Sequence, residues 1–232
     1  MMDVFAEELA VFPERYGGHL SLSLSAILTG LLISLPVGIW AARSRTLAAP
    51  ALGFASLVQT IPGIALLALM VPVLGGQIGF LPAYLALTLY SMLPILRNTI
   101  VGLQGVPDNV REAALGVGMT ERQRLMRVDL PLALPTIVAG LRTSVVWVVG
   151  ATTLSTPVGA QSLGNYIFAG LQTRDWNMVL FGCVVSAALA LLLDQIVRLL
   201  EMAASEGRWR PTWFAAAGFI LVCTPAFLNF TD

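Results

Sequence analysis

A run of 51 residues between Arg45 and Arg97 contains no Asp, Glu, Lys or Arg, and this restricts the fold severely. A helix crosses a bilayer in about 20 apolar residues, so the run has room for two crossings and a turn. Pro82 would open the second helix, and the turn is expected at three glycines, Gly75, Gly76 and Gly79. Unpaired backbone groups are too costly in hydrocarbon for anything except helices and closed barrels, and no alternating barrel pattern is present. We therefore predict an all-α membrane protein.

The remaining composition agrees with this prediction. Charged residues make up 11% of the chain and the mean hydropathy is +0.82, whereas soluble proteins carry roughly 25% charge. The predicted domains are an N-terminal extracytoplasmic segment (1–18), a transmembrane domain (19–201) and a C-terminal segment (202–232). The first segment is too acidic for a cleaved signal peptide. Six helices are predicted, the last interrupted by Pro225: 19–42, 52–73, 81–104, 131–157, 176–201 and 212–229.

Several residue types exclude classes of function. All 13 basic residues are Arg, so the Lys of a GxxxxGK[ST] phosphate-binding loop is missing and the chain is not expected to hydrolyse ATP. Cys183 and Cys223 lie inside predicted helices without CxxC spacing, and we expect both to be buried and unpaired. His19 begins the first helix, where a place at the membrane interface is expected, and one His makes no metal site. No catalytic residue, metal ion or nucleic-acid partner is predicted.

The arginines predict the orientation of the chain, because cytoplasmic loops near helix ends collect positive charge. Arg15 and Arg174 fall on one side of the predicted helices, and Arg142 lies inside the fourth. The other ten fall on the opposite side: Arg43, Arg45, Arg97, Arg111, Arg122, Arg124, Arg127, Arg198, Arg208 and Arg210. We therefore expect both termini to be extracytoplasmic and the loop that follows the third helix to be cytoplasmic.

That loop, residues 107–130 and hereafter the charged loop, holds eight of the 26 charged residues. Asp108 is a suitable N-cap for a short helix, and Gly118 can end it in the left-handed conformation. Thr120 and Gln123 then form a capping box for a second short helix. The apolar residues of the first helix recur on one face: Val110, Ala113, Ala114 and Val117. We predict two short helices joined at a glycine elbow.

The charged loop has two interpretations. It could be a solvated loop that only carries the positive-inside signal. The stripe of small apolar residues favours the other interpretation, docking into a groove on a partner protein. Small side chains allow close approach there, and Arg111 and Glu112 could make charged contacts at the rim.

The charged loop also carries a spaced motif. Glu112, Ala113 and Ala114 are followed by three residues and Gly118, then by nine residues and the sequence Val128, Asp129, Leu130 and Pro131. This resembles the EAA loop of bacterial ABC importer permeases, in which Ile occupies the position of Val128. The resemblance implies a coupling helix that inserts into a cleft on a separate ATP-binding subunit. The residues assigned to this coupling are Arg111, Glu112, Ala113, Ala114, Gly118, Leu130 and Pro131.

The resemblance extends over about residues 19–201. The segments 58–69, 90–103, 112–143 and 162–176 look like the permeases of osmoprotectant importers, which take up glycine betaine, choline and carnitine. It implies a MetI-like type I transmembrane domain with five core helices, besides the sixth predicted here, in the bacterial inner membrane. Segment 156–170 would be an extracytoplasmic re-entrant or gate segment. No cofactor is expected on this chain, because the partner ATPase would use ATP and Mg. The implied partners are two ATP-binding subunits, a second permease copy or paralogue, an extracytoplasmic binding protein and membrane lipid.

A transport pathway needs residues inside the membrane, and six are candidates. A buried Arg needs a partner, so Arg142 is interpreted either as paired or snorkelling or as part of transport. Asp194 is expected to pair with Arg198 one turn later. Pro62 and Pro94 would kink their helices, either along a pathway or as packing bends. Aromatic rings could attract a quaternary ammonium ion, or could be ordinary interface and lipid-facing residues; the candidates are Tyr90, Trp147 and Phe168.

Two alternative functions stay open. An ion-coupled secondary transporter would suit broken helices and a buried Arg142, although the first four predicted helices contain no carboxylate. An ABC permease for another small solute, an oxyanion or an amino acid such as methionine, would share the EAA loop. Against these, the predicted function is import of quaternary ammonium osmoprotectants by alternating access, driven by ATP hydrolysis on a separate subunit.

Overall fold

The computed structural model of the chain describes residues 10–206, together with Gly218 and Val222. Every regular element in this part is helical, as predicted. The α-helices are α1 (Phe12–Ala41), α2 (Arg45–Thr60), α3 (Gly63–Val73), α4 (Phe80–Gln104), α5 (Asp108–Gly116), α6 (Glu121–Arg124), α7 (Leu130–Thr152), α8 (Gly164–Thr173) and α9 (Trp176–Glu206). A π-helical turn (Leu125–Asp129) joins α6 to α7, and a 3-10 helix (Thr153–Val158) follows α7.

The number of membrane crossings agrees with the sequence as far as the described residues reach. Four helical stretches are long and apolar enough to cross a membrane, and α2 with α3 makes a fifth if that bent pair counts as one crossing. The predicted turn before α4 is confirmed, since Gly75, Gly76 and Gly79 have φ angles of +70°, +89° and +104°. The predicted sixth helix, 212–229, lies outside the described residues except at Gly218 and Val222.

The second predicted helix, 52–73, is wrong as one continuous helix. It begins earlier, at Arg45, and breaks between α2 and α3 with a bend of 99°. The residue before a proline is pushed out of helical geometry, and Ile61 is extended with φ −73° and ψ 126°. The hydroxyl of Tyr90 in α4 donates to the carbonyl of Ile61, so the exposed backbone group at the break is satisfied. The break is therefore built into the packing of α4.

The first helix begins at Phe12 rather than at residue 19. Pro13 fits its first turn, and Phe12 and Tyr16 pack with Tyr166 and Phe181 of α8 and α9 in an aromatic cluster. Arg15 lies over the Tyr166 ring at 4.7 Å, so the one basic residue of the predicted N-terminal segment also contacts the bundle. Tertiary packing here overrides the local charge pattern.

The structure shows the surroundings of two side chains that the sequence singled out. His19 lies about two turns into α1 and is fully buried among the helices, and its expected place at the membrane interface stays a prediction. Its Nδ1 accepts a hydrogen bond from the backbone N–H of Leu163 at 3.3 Å. Cys183, expected to be buried, is an exposed free thiol on the outer face of α9.

The long helix α4 is the centre of the bundle and packs most extensively against α1 and α7. Small residues make this close packing possible. A Cβ added to Gly140 of α7 would lie 2.6 Å from the carbonyl oxygen of Pro94 and 2.6 Å from Cβ of Asn98, both in α4. The main hydrophobic core contains Leu20, Leu87, Val148 and Leu163, all buried, and joins α1, α4, α7 and the segment before α8.

The fourth predicted helix, 131–157, is part of a longer rod. Helical structure runs without interruption from Glu121 to Val158 as α6, the π-helical turn, α7 and the 3-10 helix. The α-helical part ends at Thr152, before Pro157, and Gly159 follows with a φ of +86°. The second half of the charged loop is thus a direct extension of a membrane helix.

Candidate functional site

The first half of the charged loop forms the nine-residue helix α5. The helix begins at Asp108 and its N-cap is Pro107, which is extended and accepts backbone N–H bonds from Val110 and Arg111. The prediction of Asp108 as the N-cap is therefore wrong by one position. Its carboxylate is still placed favourably in the first turn, where the helix dipole is positive.

The apolar residues of α5 do not form one outward stripe. Ala114 is 5% exposed and packs inward, whereas Ala113 next to it is exposed. Leu115 and Val117 are also exposed, at 50% and 74%, and Glu112 lies on the same open side. The helix therefore presents small and medium apolar side chains beside one acidic residue. Such a surface suits a shallow groove on another protein.

The glycine elbow and the second short helix agree with the prediction. Gly118 has a φ of +80°, which a side chain would strain. Thr120 and Gln123 form the capping box, with the Thr120 N–H 2.9 Å from Oε1 of Gln123 and the Gln123 N–H 3.3 Å from Oγ1 of Thr120. After the π-helical turn, Leu130 begins α7 and Pro131 lies in its first turn, as expected.

A buried carboxylate joins the two halves of the charged loop. The side chain of Asp129 is 7% exposed and lies 3.5 Å from Nε of Arg111 in α5 and 3.3 Å from Nε of Arg124 in α6. The Arg111 guanidinium also donates through Nη2 to the carbonyl of Leu103 in the last turn of α4. α5 is thus fixed to both helices that the charged loop connects.

Arg142 of α7 is paired inside the bundle, as one of its two interpretations required. It donates to both carboxylate oxygens of Asp194 in α9, at 2.8 Å from Nε and 3.0 Å from Nη2. Glu201, two turns further along α9, lies 3.8 Å from Nη1. The expected pair of Asp194 with Arg198 is wrong, because Asp194 faces α7 while Arg198 is exposed. A bidentate pair with a helix neighbour provides better geometry than an i, i+4 contact at the surface.

Comparison with known proteins identifies the family. Residues 34–206 match the family described as "Binding-protein-dependent transport system inner membrane component". The chain belongs to this permease family.

Individual relatives of the permease agree. "Glycine betaine/carnitine/choline transport system permease protein OpuCB" of Bacillus subtilis (strain 168) is 40% identical over 187 residues, which are 81% of this chain and 85% of that protein. "Osmoprotectant import permease protein OsmW" of Salmonella typhimurium is 41% identical over 187 residues, with 79% and 87% covered. Among solved structures, the MetNI methionine ABC transporter in an inward-facing conformation matches with a TM-score of 0.74 at 24% identity, over 85% of this chain and 98% of that one. The predicted MetI-like fold is confirmed.

The candidate pathway residues of the permease are not gathered in one place. Tyr90 is buried and contacts the break beside Pro62, whereas Trp147 on α7 is 62% exposed. Phe168 on α8 is half-buried, and among the described residues none of these three rings stacks on another. Pro94 is half-buried inside α4, which continues through it, with its carbonyl accepting from Nδ2 of Asn98 at 2.8 Å. Tyr90, Trp147 and Phe168 therefore form no aromatic cage with one another in the described part of the permease.

The segment between α7 and α8 is more regular than its sequence indicated. It is tied by polar contacts: Ser162 lies 3.1 Å from Oγ1 of Thr156, and its backbone N–H donates to Asn165 at 2.9 Å. The carbonyl of Val158 accepts from the N–H of Gly79 at 2.7 Å, so this segment also contacts the turn before α4. The same segment contacts α1 through the hydrogen bond from the Leu163 N–H to His19.

The pair of Asp129 with Arg124 in the permease was not identified from sequence, and Asp194 was assigned the wrong partner. Asp129 occupies the unspecified position of the EAA pattern, between Val128 and Leu130, and the pattern therefore gave it no role. The signal that could have found it was its charge, because an acidic residue directly before a long apolar helix needs a basic partner. Asp194 carried a similar signal, because it is an acidic residue within the apolar helix α9.

Proposed function

We propose that this permease is the membrane subunit of an ATP-driven importer of quaternary ammonium osmoprotectants such as glycine betaine, choline and carnitine. The observation that carries the proposal is the charged loop: a short helix with an exposed apolar and acidic surface, linked to a membrane helix by the contact of Arg111 with Asp129. The relatives with about 40% identity, whose names include these compounds, support the substrate class.

The proposed coupling uses α5 as the contact with a separate ATP-binding subunit. Ala113, Leu115 and Val117 would enter a groove of that subunit, and Glu112 and Arg111 would pair with charges at its rim. Gly118 lets the chain turn back into the rod that begins at Glu121. Closure of two ATP-binding subunits would move two such rods and switch the cavity between outward and inward access.

The chain itself would hold no cofactor in this function. The missing Lys excludes a phosphate-binding loop of the Walker type, so ATP and Mg would be bound by the partner subunit. The charged loop would face the cytoplasm, because ten of the 13 arginines lie on that side of the predicted helices. A second permease copy or a paralogue, and a separate extracytoplasmic binding protein, would complete the complex.

The pathway would then be formed between two permease copies rather than inside one. The dispersed positions of Trp147, Tyr90 and Phe168 favour weak, successive contacts over one tight cage, since a transported cation must also leave. Trp147 is the ring most open to such a contact. Arg142, already paired with Asp194, would act on the packing of α7 and not on the cargo.

The experiment is reconstitution of the permease with an ATP-binding subunit and a binding protein in liposomes. Uptake is measured with labelled glycine betaine, choline, carnitine, methionine and molybdate, each with ATP and with a non-hydrolysable analogue. The proposal expects ATP-dependent uptake of at least one quaternary ammonium compound and no uptake with the analogue. Preference for methionine or molybdate would overturn the substrate class. Uptake driven by an ion gradient without ATP would overturn the energy source.

A further inference from the structure

Asp129 is the most completely buried acidic side chain of the charged loop, and it has two arginine neighbours from two different helices. Its carboxylate lies between Arg111 of α5 and Arg124 of α6, at 3.5 and 3.3 Å. A carboxylate that is removed from water is stable in its charged form only when it is paired, so Asp129 needs Arg111 and Arg124 as partners. Asp108, the other acidic neighbour of Arg111, is 91% exposed and also lies 3.5 Å away.

The place of Asp129 in the chain explains why it can reach both arginines. It ends the π-helical turn, directly before α7, in the unbroken rod from Glu121 to Val158. The wider π turn changes which face of the rod the following residues occupy, and such turns are frequent at functional sites. The carboxylate of Asp129, directly before the membrane helix α7, is thereby brought next to Arg111 of α5.

Arg111 extends the connection to a second membrane helix. Its Nη2 donates to the carbonyl of Leu103, in the last turn of α4. Through Arg111, α5 is therefore held by the end of α4 and by the start of α7. This arginine bridge adds a charged contact to the packing of α5 against α6 and the π-helical turn.

The contact between Arg111 and Asp129 is an ion pair that is not yet a hydrogen bond. Nε of Arg111 and Oδ1 of Asp129 lie 3.5 Å apart without hydrogen-bond geometry, and within the described residues neither atom has another hydrogen-bond partner. A movement of α5 toward the rod by a few tenths of an ångström would form a charge-assisted hydrogen bond. A movement away would weaken the attraction between the two charges without providing either atom with a hydrogen-bond partner.

We propose that Asp129 is the positioning residue that makes α5 move as one body with α7, so that a push on α5 reaches the membrane helices. The inference depends on the proposed function only for the origin of that push. Arg124 holds the opposite carboxylate oxygen and keeps the Asp129 side chain aimed at Arg111. Asp129 itself touches neither the transported solute nor ATP.

The first test uses the reconstituted complex with three variants of the permease. Asp129→Asn keeps the size and removes the charge, Asp129→Glu keeps the charge, and Asp108→Asn removes the exposed partner of the same arginine as a control. The readout is the number of solute molecules imported per ATP hydrolysed, together with co-purification of the ATP-binding subunit. We expect the ratio to fall about fivefold or more in Asp129→Asn with the subunit still bound.

The same test has matched expectations for the other variants. Asp129→Glu should recover to within about twofold of the original ratio, and Asp108→Asn should differ by no more than about twofold, because exposed pairs contribute little. An unchanged import ratio in Asp129→Asn would overturn the inference. Loss of the ATP-binding subunit in Asp129→Asn and Asp129→Glu alike would also overturn it, because the residue would then serve assembly only.

The second test needs no ATPase and separates this inference from the proposed function. Spin labels are attached through Asn109→Cys in α5 and Met126→Cys in the rod, after Cys183 and Cys223 are replaced by Ser. The inference expects a narrow distance distribution that broadens with Asp129→Asn and stays narrow with Asp108→Asn. A distribution that is equally narrow in all three chains would refute the rigid connection, whether or not the complex imports its solute.

Discussion

Arg142 of α7 and Asp194 of α9 form a bidentate pair inside the bundle, with N–O distances of 2.8 and 3.0 Å. The two residues are 52 positions apart in the chain. The side chain of Asp194 is 14% exposed and that of Arg142 is 31% exposed, so the pair is largely removed from solvent. It ties the rod that carries the charged loop to the last described membrane helix.

Asp194→Ala is therefore expected to destabilise the chain. Removal of one partner of a buried pair costs about 3–5 kcal/mol, and the partial exposure of Arg142 lowers this to about 2 kcal/mol. That corresponds to a fall in melting temperature of roughly 4–8 °C for a chain of this size, measured on the detergent-solubilised protein. Arg198→Ala should leave the melting temperature nearly unchanged. Equal effects of the two substitutions would contradict the pairing described here.

Gly118→Leu is expected to abolish ATP-driven uptake while the chain stays folded in the membrane. The φ of +80° would place a side chain in the left-handed region, at a cost of about 1–2 kcal/mol, and the elbow would relax by turning α5 away. Gly53→Leu is the control, since Gly53 has ordinary helical geometry and open space around its Cβ position.

Glu112→Lys should also abolish uptake by reversing the charge on the exposed face of α5. Full uptake by either loop variant would reject a docking role for α5.

Gly140→Leu is expected to loosen the packing of α7 on α4. A Cβ at this position would meet the Pro94 carbonyl and Asn98 at 2.6 Å, and overpacking of this kind costs about 3 kcal/mol. Gly150→Leu, on the same helix with open space around its Cβ position, is the matched control. The measurement is the melting temperature and the fraction of protein that elutes as a single species in detergent. If Gly150→Leu is as harmful as Gly140→Leu, the close approach of the two helices is not the cause.

Much of the architecture could be predicted because membrane helices are specified locally. The charge-free runs, the glycines before α4 and the capping box of α6 each depend on residues within a few positions, and all agree with the structure. The helix boundaries were less certain, since Phe12 and Tyr16 extend α1 by packing against residues far along the chain.

The rest depends on contacts between distant segments. Asp194 was assigned to Arg198 because i, i+4 spacing was the only pairing rule available, whereas its true partner lies on another helix. At the 99° bend beside Pro62, the hydroxyl of Tyr90 donates a hydrogen bond to the carbonyl of Ile61, and no local sequence pattern reveals this contact. The inward position of Ala114 likewise depends on how α5 packs against the rest of the bundle.

The proposed orientation predicts how introduced cysteines react in intact cells. In a chain without Cys183 and Cys223, Gln77→Cys lies in the exposed turn before α4 and Val117→Cys lies beside the glycine elbow of the charged loop. A membrane-impermeant maleimide applied to spheroplasts should label the first position and should label the second only after permeabilisation. The reverse pattern would mean that the arginine-rich side faces outward.

Cross-linking from α5 tests most directly whether a nucleotide-driven subunit acts through this helix. Ala113→Cys and Ala114→Cys, in the same cysteine-free chain, differ by one position but are exposed and buried respectively. In the assembled, importing complex, a short cross-linker on Ala113→Cys should capture the ATP-binding subunit with a yield that changes when ATP is added, and Ala114→Cys and Gln77→Cys should capture little. An importing complex in which Ala113→Cys captures no ATP-binding subunit, or no more than Gln77→Cys does, would contradict the account.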